Sequence, residues 1–328
     1  MNFILKSFKP LVIFLTGMTI FSCGTSDDPG DVIIPENTIN NYFINSSDYT
    51  VLAAALNITS LDTLLKASGQ YTVFAPTNSA FNSFLSENDY TNLNDIPVDV
   101  LRNNLLYHII SGARTLEQFP QGYLYSAATG NASDQGLSLY TYTQDESLYI
   151  NSQAQIPFNS GNISLENGYV HPLASFLSLP NLDDFLKINS GSIQSDFYSL
   201  ISGYQTRDYT QAFQNRDSLY TILQASPSAV GDFLAENDYQ SIGDIPEAQR
   251  DSLVNANIIP NRNIRSSDLE DTLEVVTANG QLLKFYEEDG VKVLRPNGEV
   301  LKVLNPDIQA VNGVIHVVDQ LSGVSLEN

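Results

Sequence analysis

The chain has 328 residues, with 37 Asp and Glu against 15 Lys and Arg, a formal charge of −22. At 42% apolar residues it can bury the cores of about two ordinary domains. So acidic a surface repels phosphate backbones and excludes nucleic acid as a partner. One Cys and three His leave no internal disulfide and no Cys- or His-rich metal site, so no cofactor is expected.

Residues 1–10 carry Lys6 and Lys9 and no acid, and Leu11 to Phe21 is almost wholly apolar. A basic start followed by a short apolar run has the layout of a signal peptide. As a helix that run rises about 16 Å, roughly half a hydrocarbon core, so it is too short to span stably. Ile20-Phe21-Ser22-Cys23-Gly24 follows and resembles the lipobox of bacterial lipoproteins, with Phe21 where a small residue is usual. The resemblance implies a signal peptide over 1–22, lipid attachment at Cys23 and the membrane as a partner. The alternative is a buried free thiol. Residues 23–41 are polar and turn-rich and read as a flexible tether. Asp27-Asp28 resembles the acidic signal of lipoproteins sent to the outer face of the cell outer membrane, which is the expected location.

Beyond the tether, Tyr49–Asn57 and Leu61–Ala67 place apolar residues at helical spacing, and Tyr71–Ala75 reads as a strand. Asn78–Ser86 puts Ala80, Phe81, Phe84 and Leu85 on one helical face, and Pro97 suits the start of a helix through Leu101, Leu105 and Leu106. The chain then repeats itself. Phe84-Leu85-Ser86-Glu87-Asn88-Asp89-Tyr90 returns 149 residues later as Phe233-Leu234-Ala235-Glu236-Asn237-Asp238-Tyr239. Asn167-Gly168-Tyr169-Val170-His171 meets Asn312-Gly313-Val314-Ile315-His316 at a spacing of 145. A period that long is a whole domain, so two tandem copies are expected, over 42–180 and 193–325. Late in the second copy, Leu282–Tyr286, Val291–Leu294 and Glu299–Leu304 read as strands joined through Asp289-Gly290 and Asn297-Gly298, and Val311–Val318 closes it. The class is α+β with a mostly antiparallel sheet.

Tyr71-Thr72-Val73-Phe74-Ala75-Pro76-Thr77-Asn78-Ser79-Ala80-Phe81 resembles the first signature of fasciclin domains. Leu105-Leu106-Tyr107-His108 resembles the family's central Tyr-His element, and Asn312-Gly313-Val314-Ile315-His316-Val317-Val318-Asp319 its closing signature. The resemblance covers both copies and implies two tandem fasciclin-like domains, each a small antiparallel β-wedge flanked by helices. It further implies a non-catalytic adhesion module that binds a protein or glycan ligand at the cell surface, with Tyr107 and His108 as candidate binding residues. The second copy is divergent: Leu223–Val230 replaces the first signature and Ala256-Asn257 replaces Tyr107-His108, while the first copy has Ala174 where the close expects Asp.

Other chemistry finds thin support. His171 and His316 are either satisfied interior rings or the base of a hydrolase, the former being favoured. There is no Gly-x-Ser-x-Gly elbow and no Gly-rich phosphate loop. Asp183-Asp184 and Glu287-Glu288-Asp289 read as solvated acids at a loop or hairpin tip, with a loose Ca²⁺ site as the alternative. Four triplets, among them Asp62-Thr63-Leu64 and Asp251-Ser252-Leu253, resemble a bacterial O-glycosylation acceptor, and helix capping is the favoured alternative. Among 17 Tyr and no Trp, Tyr123 and Tyr125 alternate, as do Tyr140 and Tyr142, which puts each pair on one face of a strand. These four are the further binding candidates, and packing at a sheet edge is the alternative. The competing function is an accessory lipoprotein subunit of an outer-membrane transport or assembly complex.

Overall fold

The computed structural model describes residues 37–131, 133–188, 196–202 and 209–321. The first domain opens with three short helices, α1 (Ile39–Asn45), α2 (Thr50–Ile58) and α3 (Asp62–Lys66). Strand β1 (Tyr71–Pro76) leads into α4 (Asn78–Glu87), then α5 (Val98–Tyr107) and β2 (Ile109–Ser111). A long hairpin follows, β3 (Gly122–Gly130) and β4 (Ser133–Gln144), with β5 (Ser147–Ile150) and β6 (Ala154–Pro157) beside it. Strands β7 (Ile163–Leu165) and β8 (Gly168–Leu173) close the domain.

The second domain repeats the plan with α6 (Leu182–Lys187), α7 (Asp196–Ser202) and α8 (Tyr209–Gln214). Strand β9 (Tyr220–Ala225), helices α9 (Pro227–Glu236) and α10 (Glu247–Ala256) and strand β10 (Ile258–Pro260) come next. Strands β11 (Thr272–Val276), β12 (Leu282–Glu287), β13 (Val291–Leu294), β14 (Val300–Ala310) and β15 (Gly313–Val318) complete it. Its sheet is one seven-stranded layer in the order β10-β9-β15-β14-β13-β12-β11. The first domain instead splits into β2-β1-β8-β7 and β3-β4-β5-β6, because Pro157 and the 3₁₀ turn Phe158–Ser160 interrupt the strand that β14 carries unbroken.

The mostly antiparallel α+β plan holds, with one parallel pair in each domain. The central pair of each domain, β1 with β8 and β9 with β15, is parallel, within otherwise antiparallel sheets. Nearly a whole domain separates the two strands of each pair, which gives the crossover that parallel pairing needs. The tether does not reach residue 41, since Thr38 caps α1 and Ile39 and Phe43 are buried in the first core. Ahead of residue 193, α6 packs with the second domain: Leu182, Phe185 and Leu186 lie in its core.

The repeated motifs turn out to be architectural. Asn88 and Asn237 each return a side-chain bond to the carbonyl of the Phe four residues before, both at 2.8 Å, and end α4 and α9. Asp89 and Asp238 then take φ of 59° and 56°, the left-handed turn that Asp tolerates. Asn167 accepts from the Ile39 amide at 2.8 Å and donates to the Leu65 carbonyl at 2.7 Å; Asn312 does the same with Leu182 and Phe213 at 2.9 and 2.7 Å. Each Asn thereby clasps the first helix of its domain to the sheet. A Cβ on the glycine that follows would sit 1.8 Å from the Tyr71 oxygen at Gly168 and 2.0 Å from the Tyr220 oxygen at Gly313, so no side chain fits.

The connection between the domains has no slack. Leu179 is buried in the first core, α6 starts at Leu182, and Pro180 between them accepts the Val311 amide at 2.9 Å. Arg216 donates to the Leu179 carbonyl at 2.9 Å.

Candidate functional site: a tyrosine-lined cleft between the domains

Strands β3, β4 and β5 alternate strictly. Leu137, Leu139, Leu148 and Ile150 face the first core. Tyr123, Tyr125, Tyr140, Tyr142 and Tyr149 share the opposite face, with Tyr123 across from Tyr140 and Tyr142 across from Tyr149. Neighbouring ring centroids lie 4.9 Å apart for Tyr123–Tyr140, 6.0 Å for Tyr140–Tyr142 and 4.8 Å for Tyr142–Tyr149, the last pair stacked at 6°.

The second domain seats on part of this face. Tyr125 donates to the Asp307 carbonyl at 3.0 Å, and the Gln309 amide donates to the Ser138 hydroxyl at 2.9 Å. At the hairpin tip the Asn131 amide bonds the Val311 carbonyl at 3.1 Å, and Val311 is buried in the first domain's core. Tyr123 packs edge-on against Phe185 at 5.6 Å. The Asp134–Arg265 ion pair also crosses the joint, at 3.0 Å, but Asp134 is fully exposed and such a pair adds little.

Where the seat ends, a cleft of about 450 Å³ opens, walled by Tyr123 and Tyr140 on one side and Gln224, Pro227, Asn305 and Val317 on the other. Phe185 of α6, Ile188 just after that helix and Gln121 also line it. Burial and the neighbouring Tyr140 push the Tyr123 phenol above its ordinary value, and burial followed by Asp307 does the same for Tyr125. Tyr142 is raised by burial first and then by Tyr149. All of these phenols are neutral at physiological pH. Sequence reasoning found the tyrosines through their alternation. It missed Gln121, Gln224, Asn305 and Phe185, which no local pattern marks.

Tyr107 and His108 are not on a surface, which corrects their expected place among the binding residues. Tyr107 is fully buried; its hydroxyl donates to the Ser138 carbonyl at 2.8 Å and accepts from Asn151 at 2.6 Å. His108 donates from Nδ1 to the Asn104 carbonyl at 2.8 Å and accepts the Leu177 amide at Nε2, 3.0 Å. Burial pulls its pKa down to about 4. His171 is also pulled down to about 4, by burial first, with Nε2 donating to the Arg114 carbonyl at 2.9 Å and Nδ1 accepting from Asn162 at 3.0 Å. His316 is held between the Ile264 carbonyl and the Asp307 amide, and burial lowers it too. Both nitrogens of all three rings are engaged, so none is placed to act as a general base.

Glu287, Glu288 and Asp289 are exposed at a hairpin tip as expected, but Asp183 and Asp184 are not solvated loop acids. Asp183 is buried inside α6, paired with Lys187 at 2.5 Å and bonded by Gln214 at 2.8 Å, and Asp184 closes the helix start on the Asn181 amide. Glu288 pairs with Lys292 at the β12–β13 turn. No group of three or more His, Cys, Asp or Glu able to hold a metal occurs among the described residues. Neither Asp62 nor Asp251 is an N-cap: Asp62 lies inside α3 and pairs with Lys66, and Asp251 lies inside α10. Cys23, the signal segment and the tether to residue 36 lie outside the described residues. Among the described residues no helix is long and apolar enough to cross a membrane.

The fasciclin domain model matches this chain over residues 47–180 and 195–321. The chain is 24% identical over 267 residues to the transforming growth factor-beta-induced protein ig-h3 of Sus scrofa, covering 78% of this chain and 35% of that protein. It is 24% identical over 280 residues to fasciclin-1 of Drosophila melanogaster, covering 76% and 40%. It therefore spans well under half the length of these two relatives. Protein sll1483 of Synechocystis is 28% identical over 143 residues, 44% of this chain and 74% of that one. Among solved structures, a FAS1 domain pair from the insect cell adhesion molecule fasciclin I superposes with a TM-score of 0.52 at 16% identity, over 83% of this chain and 96% of that one. With both halves matched and the pair architecture shared, the chain belongs to the fasciclin domain family.

Proposed function

We propose that this protein is a lipid-anchored, non-catalytic binding module of the cell envelope, displayed at the outer membrane and engaging a protein or glycan ligand. The observation that carries the reading is the pair of fasciclin domains held by backbone and side-chain bonds as one block, a shape shared with a domain pair from a cell adhesion molecule. The lipobox-like segment Ile20–Gly24 and the acidic pair Asp27-Asp28 support attachment through Cys23 and export. A block of fixed geometry on a tether suits adhesion, because a preorganised surface loses little entropy on contact.

The test is fractionation of cells expressing the full chain or Cys23→Ala, together with a cell-aggregation assay. Wild type should sediment with outer membranes and promote aggregation, and the variant should do neither. A soluble, unacylated wild-type product would sink the reading.

The accessory-subunit reading has one observation in its favour. Val276 and Leu282 sit directly opposite each other on β11 and β12, at the end of the sheet, and each is about half exposed. Recovery of a stoichiometric outer-membrane partner from gently solubilised membranes would favour it over a free-standing adhesin.

A further inference from the structure

The tyrosine face is wider than the domain contact uses. Tyr125 and Ser138 are engaged by the second domain, Tyr123 and Tyr140 wall the cleft, and Tyr142 and Tyr149 continue outward as a half-buried stacked pair. Four rings thus form an unbroken row from an enclosed end to an open one. We propose that the cleft and the row leading out of it bind a neutral oligosaccharide, which deepens and rests on the binding-module reading above.

Three features select that ligand class. First, the residues lining the cleft include no Asp, Glu, His, Lys or Arg, although the chain carries a net charge of −22. An anionic ligand meets a repelling field there, and a cationic one finds no carboxylate in the lining. Second, the polar groups present are side-chain amides and phenols. Gln121 and Asn305 each bring a donor and an acceptor, the combination that hydroxyl groups satisfy. Third, the near-parallel rings of Tyr142 and Tyr149 present a flat apolar surface, against which the C–H face of a pyranose can lie while its hydroxyls stay in water. Pockets at domain interfaces with apolar walls and a few convergent polar groups are where small ligands most often bind.

The experiment uses the purified full chain in a non-glycosidic detergent. The probes are neutral hexasaccharides (β-1,4-glucan, β-1,4-xylan, β-1,4-mannan and α-1,4-glucan), with a hexagalacturonate and a proline-rich decapeptide as contrasts. The chain has no Trp, so its fluorescence comes from its 17 tyrosines, and the tyrosine variants identify the part of any change that the row contributes. At least one neutral hexasaccharide should bind saturably and more tightly than either contrast. Tyr142→Ala and Tyr149→Ala should each weaken it about tenfold, while Tyr142→Phe, which keeps the ring, stays within about threefold. Asn305→Ala tests the wall supplied by the other domain and should also weaken binding. Tyr286→Ala, in the second domain away from the cleft, should not.

Binding to none of the four saccharides overturns the proposal, as does binding that the Tyr142, Tyr149 and Asn305 variants leave unchanged. Preferential capture of the peptide or the acidic sugar, lost in the tyrosine variants, also overturns it. The display reading fails separately: a soluble wild-type product that still binds saccharide would sink display and spare this site. Membrane-attached, aggregating cells whose purified protein binds no saccharide would sink this site alone.

Discussion

Asn257 occupies in the second domain the place that His108 holds in the first, and both return a bond to the carbonyl four residues earlier, Asn257 to Leu253 at 2.7 Å and His108 to Asn104 at 2.8 Å. The second half of the histidine's work is done differently. His108 accepts the Leu177 amide, whereas Asn257 accepts the buried Arg295 guanidinium at 2.8 Å, which also reaches the Ala256 carbonyl at 3.3 Å. Burial draws the Arg295 pKa down to about 10, so it remains charged at neutral pH.

Replacing Arg295 strips partners from two buried acceptors at once. Arg295→Met should cost about 2–4 kcal/mol, read from the urea midpoint, although its apolar stem is largely preserved. A loss under about 0.5 kcal/mol would show that Arg295 does not hold this corner of the fold.

Stability should fall on mild acidification. Above about pH 6.5 both the folded and the unfolded chain carry neutral histidines. Between there and about pH 4 only the unfolded chain takes up protons at His108 and His171, so folding weakens through that window and the effect levels off below it. Each ring contributes on the order of 3 kcal/mol to the loss. His108→Asn should lower stability at pH 7, because Leu177 loses its acceptor, yet show a smaller drop between pH 7 and 4.5 than wild type. Equal drops would rule His108 out as a source.

Gly313 tolerates no Cβ, with the Tyr220 oxygen 2.0 Å away and φ at 148°. Gly313→Ala should destabilise by more than about 4 kcal/mol, and differential scanning calorimetry should find the protein unfolded or strongly shifted. Gly290→Ala is the contrast, at a hairpin tip with φ of 101° but open space around it, and its cost should be near 1 kcal/mol.

Ser138 lies on the path between the domains. Its carbonyl accepts Tyr107 from one core and its hydroxyl accepts Gln309 from the other domain. Wild type should unfold in a single transition followed by tyrosine fluorescence and by circular dichroism. Ser138→Ala leaves the Gln309 amide unpaired, costs about 1–3 kcal/mol, and should separate the two curves. Coincident curves in both proteins would mean that the rest of the seat suffices.

Much of the architecture was legible because its devices are local. The Phe-Leu-x-Glu-Asn-Asp-Tyr repeat survives in both copies since Asn88 and Asn237 end a helix, and Asp89 and Asp238 turn the chain, within a few residues. Tyrosine alternation likewise put Tyr123 with Tyr125, and Tyr140 with Tyr142, on one face of their strands without any knowledge of what covers them. The burial of Tyr107 and His108 was not legible, because their partners Ser138, Asn151 and Leu177 come from 31 to 69 residues away. The cleft was hidden for the same reason: Gln121, Tyr140, Phe185, Gln224 and Asn305 meet only through the seating of one domain on the other. The membership of α1 and α6 was not legible, because they are only seven and six residues long and are tied in by the Asn167 and Asn312 clasps far along the chain.

The joint at Pro180 has a mechanical consequence. Its carbonyl and that of Leu179 are both held by the second domain, while the hairpin tip is pinned at Asn131 to Val311. Pulling the ends of the block apart finds no coil to pay out at the joint, so several short bonds share the load and must shear together before the domains part. The pair would bear traction as a stiff link and fail abruptly, where a hinged pair would first stretch.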